Sequence, residues 1–145
     1  EKLHGVIAVL AVAVCLHPWF ALRKARRTSW ATRVSGYVGS ALIVATNALG
    51  WWIYPAYRNE VKLDLYRHAR PWGLLFETKE HLAWYALALA VAGACMMWAS
   101  AGRAGLGLRQ PIRTVYTATA VLTLVVGVLG TLIATMNGFS YGIDP

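Results

Sequence analysis

The sequence predicts an all-α membrane protein: a single bundle of four transmembrane helices, with both termini outside and two basic cytoplasmic connections. Three observations lead there. Of 145 residues, 58% are hydrophobic and only 14% charged, where a soluble domain carries about a quarter charged residues. Four apolar stretches, roughly Leu3 to Leu22, Val34 to Tyr57, Leu82 to Ala101 and Ile112 to Met136, lack Asp, Glu, Lys and Arg in their interiors. Each reaches the ~20 residues that cross a ~30 Å hydrocarbon core. The third observation is the partition of charge. The connections after the first and third stretches hold Arg23, Lys24, Arg26, Arg27 and Arg33, then Arg103 and Arg109, with Arg113 at the next helix mouth, and no acid. The other side balances six bases (Lys2, Arg58, Lys62, Arg67, Arg70, Lys79) with all six acids (Glu1, Glu60, Asp64, Glu77, Glu80, Asp144). Positive-inside logic then places the basic connections in the cytoplasm of a bacterial inner membrane and the termini in the periplasm. The net charge of +8 is a topology signal that meets anionic lipid, and no nucleic-acid partner is expected.

The first stretch is read as an N-out helix and not a secretory signal, because its basic cluster follows the apolar run. Cys15 and Cys95 fall inside helices and are expected to be reduced and packed among apolar side chains. The second stretch offers Gly36, Ser40, Ala41 and Ala45 as small packing residues. It also carries Asn47, expected to hydrogen-bond a neighbouring helix. The 58–79 segment, "RNEVKLDLYRHARPWGLLFETK", reads as a polar outer loop, with Pro71 and Gly73 expected to break any long helix and Val61, Leu63 and Leu65 alternating as a short strand or interfacial turn. The third stretch has Ala86, Ala90 and Ala94 at four-residue spacing, and the fourth has Thr123, Gly127, Thr131 and Thr135, both ridges that let another helix approach closely. Short connections make helices one and two, and three and four, antiparallel neighbours. Aromatic residues gather near the boundaries: Trp19, Trp30 and Trp98 inside; Trp51, Trp52, Tyr54, Tyr57, Trp72, Trp84 and Tyr85 outside.

Candidate chemistry centres on "FETKEHLAWYALALAVAG", where His81 stands at the point at which charge gives way to an apolar run. His4 opens the parallel first helix at nearly the same depth. Two imidazoles at one depth on parallel helices are what ligation of a b-type haem from both faces requires. His4 shares a face with Ala8, Ala11 and Cys15, and His81 with Tyr85, Ala88, Ala92 and Cys95. Either column leaves room for a flat porphyrin, or for two helices to pack tightly. Tyr85 and Trp84 would then line the cofactor edge. Arg58, Lys62, Arg67, Arg70 and Lys79 would meet haem propionates, or else balance the acids of a solvated loop.

A possible second site pairs His17 with Met96. His17 follows His4 by 13 residues, about 20 Å along a helix, a spacing that resembles dihaem cytochrome b helices over those two residues alone. The alternative for His17 is a boundary histidine before Pro18. Glu77, Glu80 and His81, with His4 or His68, form a non-haem metal candidate, set against acids complementing a helix start.

Mid-membrane charges, which pumps and transporters usually need, are missing. So are a Gly-rich phosphate loop, a Ser-His-Asp set and a Cys-x-x-Cys motif. The expectation is an electron-transfer subunit holding haem b near the outer surface and exchanging electrons with quinone or a redox partner, not a stand-alone enzyme. The alternatives are a cofactor-free accessory subunit of a larger respiratory-type complex and, more weakly, a small transporter.

Overall fold

The computed structural model describes residues 2–24, 29–101 and 107–140, and places nearly all of them in helix, with no strand among them. Glu1, Arg26, Arg27, Arg103 and Asp144, which enter the charge count above, lie outside the described residues. The helices are α1 (Lys2–Lys24), α2 (Trp30–Tyr57), α3 (Leu63–His68), α4 (Arg70–Ala101) and α5 (Arg109–Ser140), with a π-helical turn, Arg58–Lys62, joining α2 to α3.

Local chemistry explains why the helices outrun their apolar stretches. Ser29 caps α2, its Oγ accepting from the Thr32 N–H at 3.1 Å, so the helix starts at Trp30 and takes in polar Thr32 and Arg33. Gly107 has a left-handed φ of 60° just before α5, a conformation open to glycine at little cost.

The largest departure from expectation is the outer loop, which is helical almost throughout. Pro71 lies in the first turn of α4, where its missing N–H has no intrahelical partner to lose. Gly73 is buried beneath Tyr66, and a Cβ there would stand 3.0 Å from the ring. The apolar residues of this segment follow a helical period and not alternation. Val61 and Leu65, one turn apart, are buried with Phe76 and Ile133, while Leu63 is exposed. At 32 residues, α4 is about 48 Å long, more than a ~30 Å hydrocarbon core would need.

The four long helices form an antiparallel ring: α1 packs on α2 and α5, and α4 packs on α5 and α2. The two pairs expected from short connections are neighbours, and α1 lies diagonally across from α4. Ala11, Cys15, Ile43, Ala90, Met97, Ile112, Tyr116 and Ala120 form the central core. Tyr116 ties it together. Ser40 Oγ donates to the Ala90 carbonyl at 2.8 Å, so at 3.2 Å it accepts from the Tyr116 hydroxyl, linking α5, α2 and α4. Arg109 closes the inner end by donating to the Leu22 and Arg23 carbonyls at 2.7 and 2.8 Å, where the negative end of α1 favours a cation.

Helices α1, α4 and α5 are long and apolar enough to cross a membrane. Helix α2, at 28 residues, is long enough but is not among them. Its buried polar residues, Thr32, Ser40 and Thr46, face the bundle. Six threonines in the long helices, Thr46, Thr78, Thr117, Thr119, Thr123 and Thr131, bond to the carbonyl four residues back, hiding their polarity within their own helix. Asn47 does the same, donating to the Ile43 carbonyl at 3.0 Å instead of reaching a neighbour.

Candidate functional site

The end of the bundle formed by the start of α1, residues 58–68 and the first turns of α4, called the outer mouth after the topology expected from the sequence, holds the acidic side chains of the described residues, Glu60, Asp64, Glu77 and Glu80. On its flank, Lys62 Nζ sits 3.0 Å from Glu80 Oε2 and 3.5 Å from Glu77 Oε1, which fastens the π-helical turn to α4. Burial alone would lower the Lys62 pKa, but the hydrogen bond and charge of Glu80, helped by Glu77, raise it above its ordinary value. Tyr66 has its pKa raised by partial burial and by its hydrogen bond to Glu77.

Inside the mouth the arrangement differs. Lys79 is mostly buried, and its Nζ lies over the rings of Phe76 at 4.5 Å and Tyr57 at 5.8 Å. Its stem runs beside Gly130 of α5, where an added Cβ would stand 3.8 Å from Lys79 Cδ. No carboxylate of the described residues comes within ion-pair distance of Nζ, because Glu77 and Glu80 reach for Lys62. His4 enters the same region from α1. Its ring lies against Gly50, where a Cβ would meet Cε1 at 3.3 Å, and against the Thr46 backbone. The Nδ1 atom is buried without a well-aligned hydrogen bond, and the Thr46 backbone is the polar group that bears on the ring, with the Lys79 charge acting from further off.

The residues expected to bind a cofactor separate into two groups. His4 and Lys79 are each partly buried at the same end of the bundle. His81, Tyr85, Arg58, Arg67 and Arg70 are exposed. The columns beneath the two histidines face opposite ways: Ala11 and Cys15 are buried, whereas Ala88 and Cys95 are exposed. With α1 and α4 diagonal, His4 points into the bundle and His81 out of it, and the structure does not bring the two imidazoles together. His81 Nδ1 is 2.8 Å from the Glu77 carbonyl. A carbonyl only accepts, so Nδ1 carries the proton and Nε2 is left outward. At the inner end, His17 is exposed, with Nδ1 2.7 Å from Ser35 Oγ, and Met96 packs on the central core from α4. His68 pairs with Asp64 at 2.9 Å. Among the described residues no three His, Cys, Asp or Glu side chains converge as a metal set, so the non-haem grouping is not assembled.

Sequence reasoning placed Lys62 among the propionate donors, and the structure gives it to Glu80 and Glu77. The signal available was the neighbouring acids themselves. The role of Gly50 and Gly130 as slots for His4 and Lys79 had no signal, because nothing in a single sequence sets helix rotation. A cavity of about 380 Å³ at the inner end, lined by Gly107, Arg109, Gln110 and Arg113, was likewise not foreseen.

Comparison of the chain with protein-family models, with curated proteins and with solved structures found no match. The fold and its chemistry therefore stand on the residues alone.

Proposed function

We propose that this chain is an integral subunit of a larger membrane complex, packing laterally against neighbouring helices. In this reading all four long helices cross a bacterial inner membrane, the Arg-rich end faces the cytoplasm, and the termini are periplasmic. One observation carries it: small-residue columns on two helices face outward, away from the bundle that was expected to use them. On α4 these are Ala88 and Cys95, below His81 and Tyr85; on α5 they are Gly127, Thr131 and Thr135. A Cβ added at Gly127 would meet nothing within 4 Å. Lipid supplies no hydrophobic drive for helix association, so close backbone approach at small residues is a main source of it.

A second reading, electron transfer through a b-type haem with quinone as redox partner, is favoured by His81. Its Nδ1–H is held by the Glu77 carbonyl and its Nε2 is free, the tautomer that an axial ligand needs. The second ligand would then come from a neighbouring subunit and not from His4. One preparation tests both readings. Cys95 is exposed and Cys15 buried, so a benzophenone maleimide in native membranes attaches at Cys95 and reports its neighbours on illumination. Protein adducts absent from Cys95→Ser are expected; labelling with lipid adducts alone refutes lateral packing. A reduced-minus-oxidised b-type signal lost in His81→Ala supports the haem reading, and an unchanged spectrum ends it.

A further inference from the structure

We infer that the cavity at the inner end of the bundle holds the phosphate headgroup of one anionic glycerophospholipid. The inference rests on the membrane-spanning part of the reading above and not on lateral packing. The cavity, of about 380 Å³, is lined by Gly107, Arg109, Gln110 and Arg113, so its side chains supply two guanidinium groups, one amide and no acid. The sequence has no acid between Glu1 and Glu60 or between Glu80 and Asp144, and the four described acids lie at the opposite end. Arg109 is fixed in place, donating through Nε to the Leu22 carbonyl at 2.7 Å and through Nη2 to the Arg23 carbonyl at 2.8 Å. Those carbonyls orient the guanidinium without neutralising it, and most of its N–H donors remain. Arg113, one turn further along α5, is half-buried and forms no ion pair among the described residues.

A phosphate diester answers this arrangement. Its two unesterified oxygens accept paired N–H donors from arginine, its charge offsets the guanidinium pair, and the Gln110 amide adds a further donor. Free phosphate shares that chemistry, and the surface beyond the cavity is what favours a lipid. Leu124 follows Arg113 by eleven residues, three turns and about 20° round the helix, and it is exposed together with Val121. These bulky aliphatic side chains continue the Arg113 face toward the middle of α5, where acyl chains would lie. The small residues assigned to lateral packing, Gly127, Thr131 and Thr135, belong to the outer half of the helix and leave the inner half to lipid. Basic pockets at the cytoplasmic side of membrane helices recognise anionic headgroups in this way.

The test uses the full chain in neutral detergent at constant ionic strength, titrated with dihexanoyl phosphatidylglycerol, dihexanoyl phosphatidylcholine or inorganic phosphate, reading the thermal-unfolding midpoint. Phosphatidylglycerol should raise the midpoint saturably, and phosphatidylcholine, which carries its own cation, should not. Arg113→Gln should weaken the apparent affinity about tenfold or more, as loss of a charged hydrogen bond does. Arg113→Lys should recover part of it, because lysine keeps the charge and loses the planar fork. Arg33→Gln removes an equal charge from the same end outside the cavity and should change the affinity little. Circular dichroism confirms that each variant is folded. Equal weakening by Arg33→Gln and Arg113→Gln would show diffuse attraction to the basic end and overturn the site, as would equal responses to the two lipids. A response to inorganic phosphate as strong as that to phosphatidylglycerol would overturn the lipid assignment in favour of a soluble phosphate. Alkaline extraction of native membranes reads insertion separately. A chain released there refutes the membrane-spanning reading, whereas a chain retained but indifferent to phosphatidylglycerol refutes the lipid site alone.

Discussion

Gly39 shows how little slack the core has. A Cβ built there stands 2.8 Å from Cys15 Sγ and 3.4 Å from the Cys15 backbone nitrogen, so α1 and α2 touch almost backbone to backbone. Gly36, one turn earlier, receives the Tyr116 hydroxyl at 2.9 Å and Met97 Cε at 3.0 Å from the same notional Cβ. The two differ in what can give way. The Met97 methyl is the end of a flexible chain, whereas Cys15 has one rotatable bond and is fully buried. Gly39→Ala should therefore cost about 1–3 kcal/mol, the usual range for overpacking. Cys15→Ala in the same background should recover part of the loss, because it removes the closest atom. Thermal unfolding of the two single variants and the double variant measures the coupling. A Gly39→Ala protein as stable as the parent would mean that the helices do not approach this closely.

At the scale of the element, the outer segment is the informative case. Its mixed charge, Pro71 and Gly73 read as a loop, yet each feature has a helical use: Pro71 in a first turn, Gly73 beneath Tyr66, and Lys62 bridging to α4. Pattern reading failed because Val61, Leu63 and Leu65 fit a strand by spacing, and only tertiary contact with Phe76 and Ile133 shows that Leu63 is the exposed one. The clamp that holds the segment is testable. The folded Lys62 pKa lies above the ordinary 10.5, so the stability it contributes is fully present below about pH 10.5 and is lost as pH rises through the raised value. Lys62→Met removes it at any pH. The partly exposed ion pair is worth about 1 kcal/mol, so amide exchange across residues 58–68 should quicken roughly fivefold while the four long helices keep their protection. Unchanged exchange in that segment would show that apolar contacts alone secure it.

For the whole molecule, the sequence revealed four long helices, their antiparallel neighbours and the burial of Gly36, Ser40, Ala86 and Ala90, while Ala41 and Ala45, expected to pack with them, are exposed. It did not reveal which way each column finally turns, and this is why the candidate haem pair came apart. Residues four apart advance about 400° along a helix, so a four-residue column drifts about 40° per step. On α5 the column starts in the core at Thr123, which is buried, and has rotated to the outside by Gly127, Thr131 and Thr135. Intervals set the spacing within a helix, but the absolute rotation comes from contacts such as Tyr116 with Ser40, which link residues 76 apart in the chain. The outward column gives a prediction with opposite signs for monomer and assembly. Gly127→Leu places a side chain where nothing lies within 4 Å and replaces a poor helix former with a good one, so the isolated bundle should be no less stable. In native membranes the same side chain would hold a neighbouring helix away, and the complex seen by crosslinking at Cys95 or by native electrophoresis should be lost. A stable bundle with an intact complex would exclude this face of α5 from the interface and leave the α4 column to carry it.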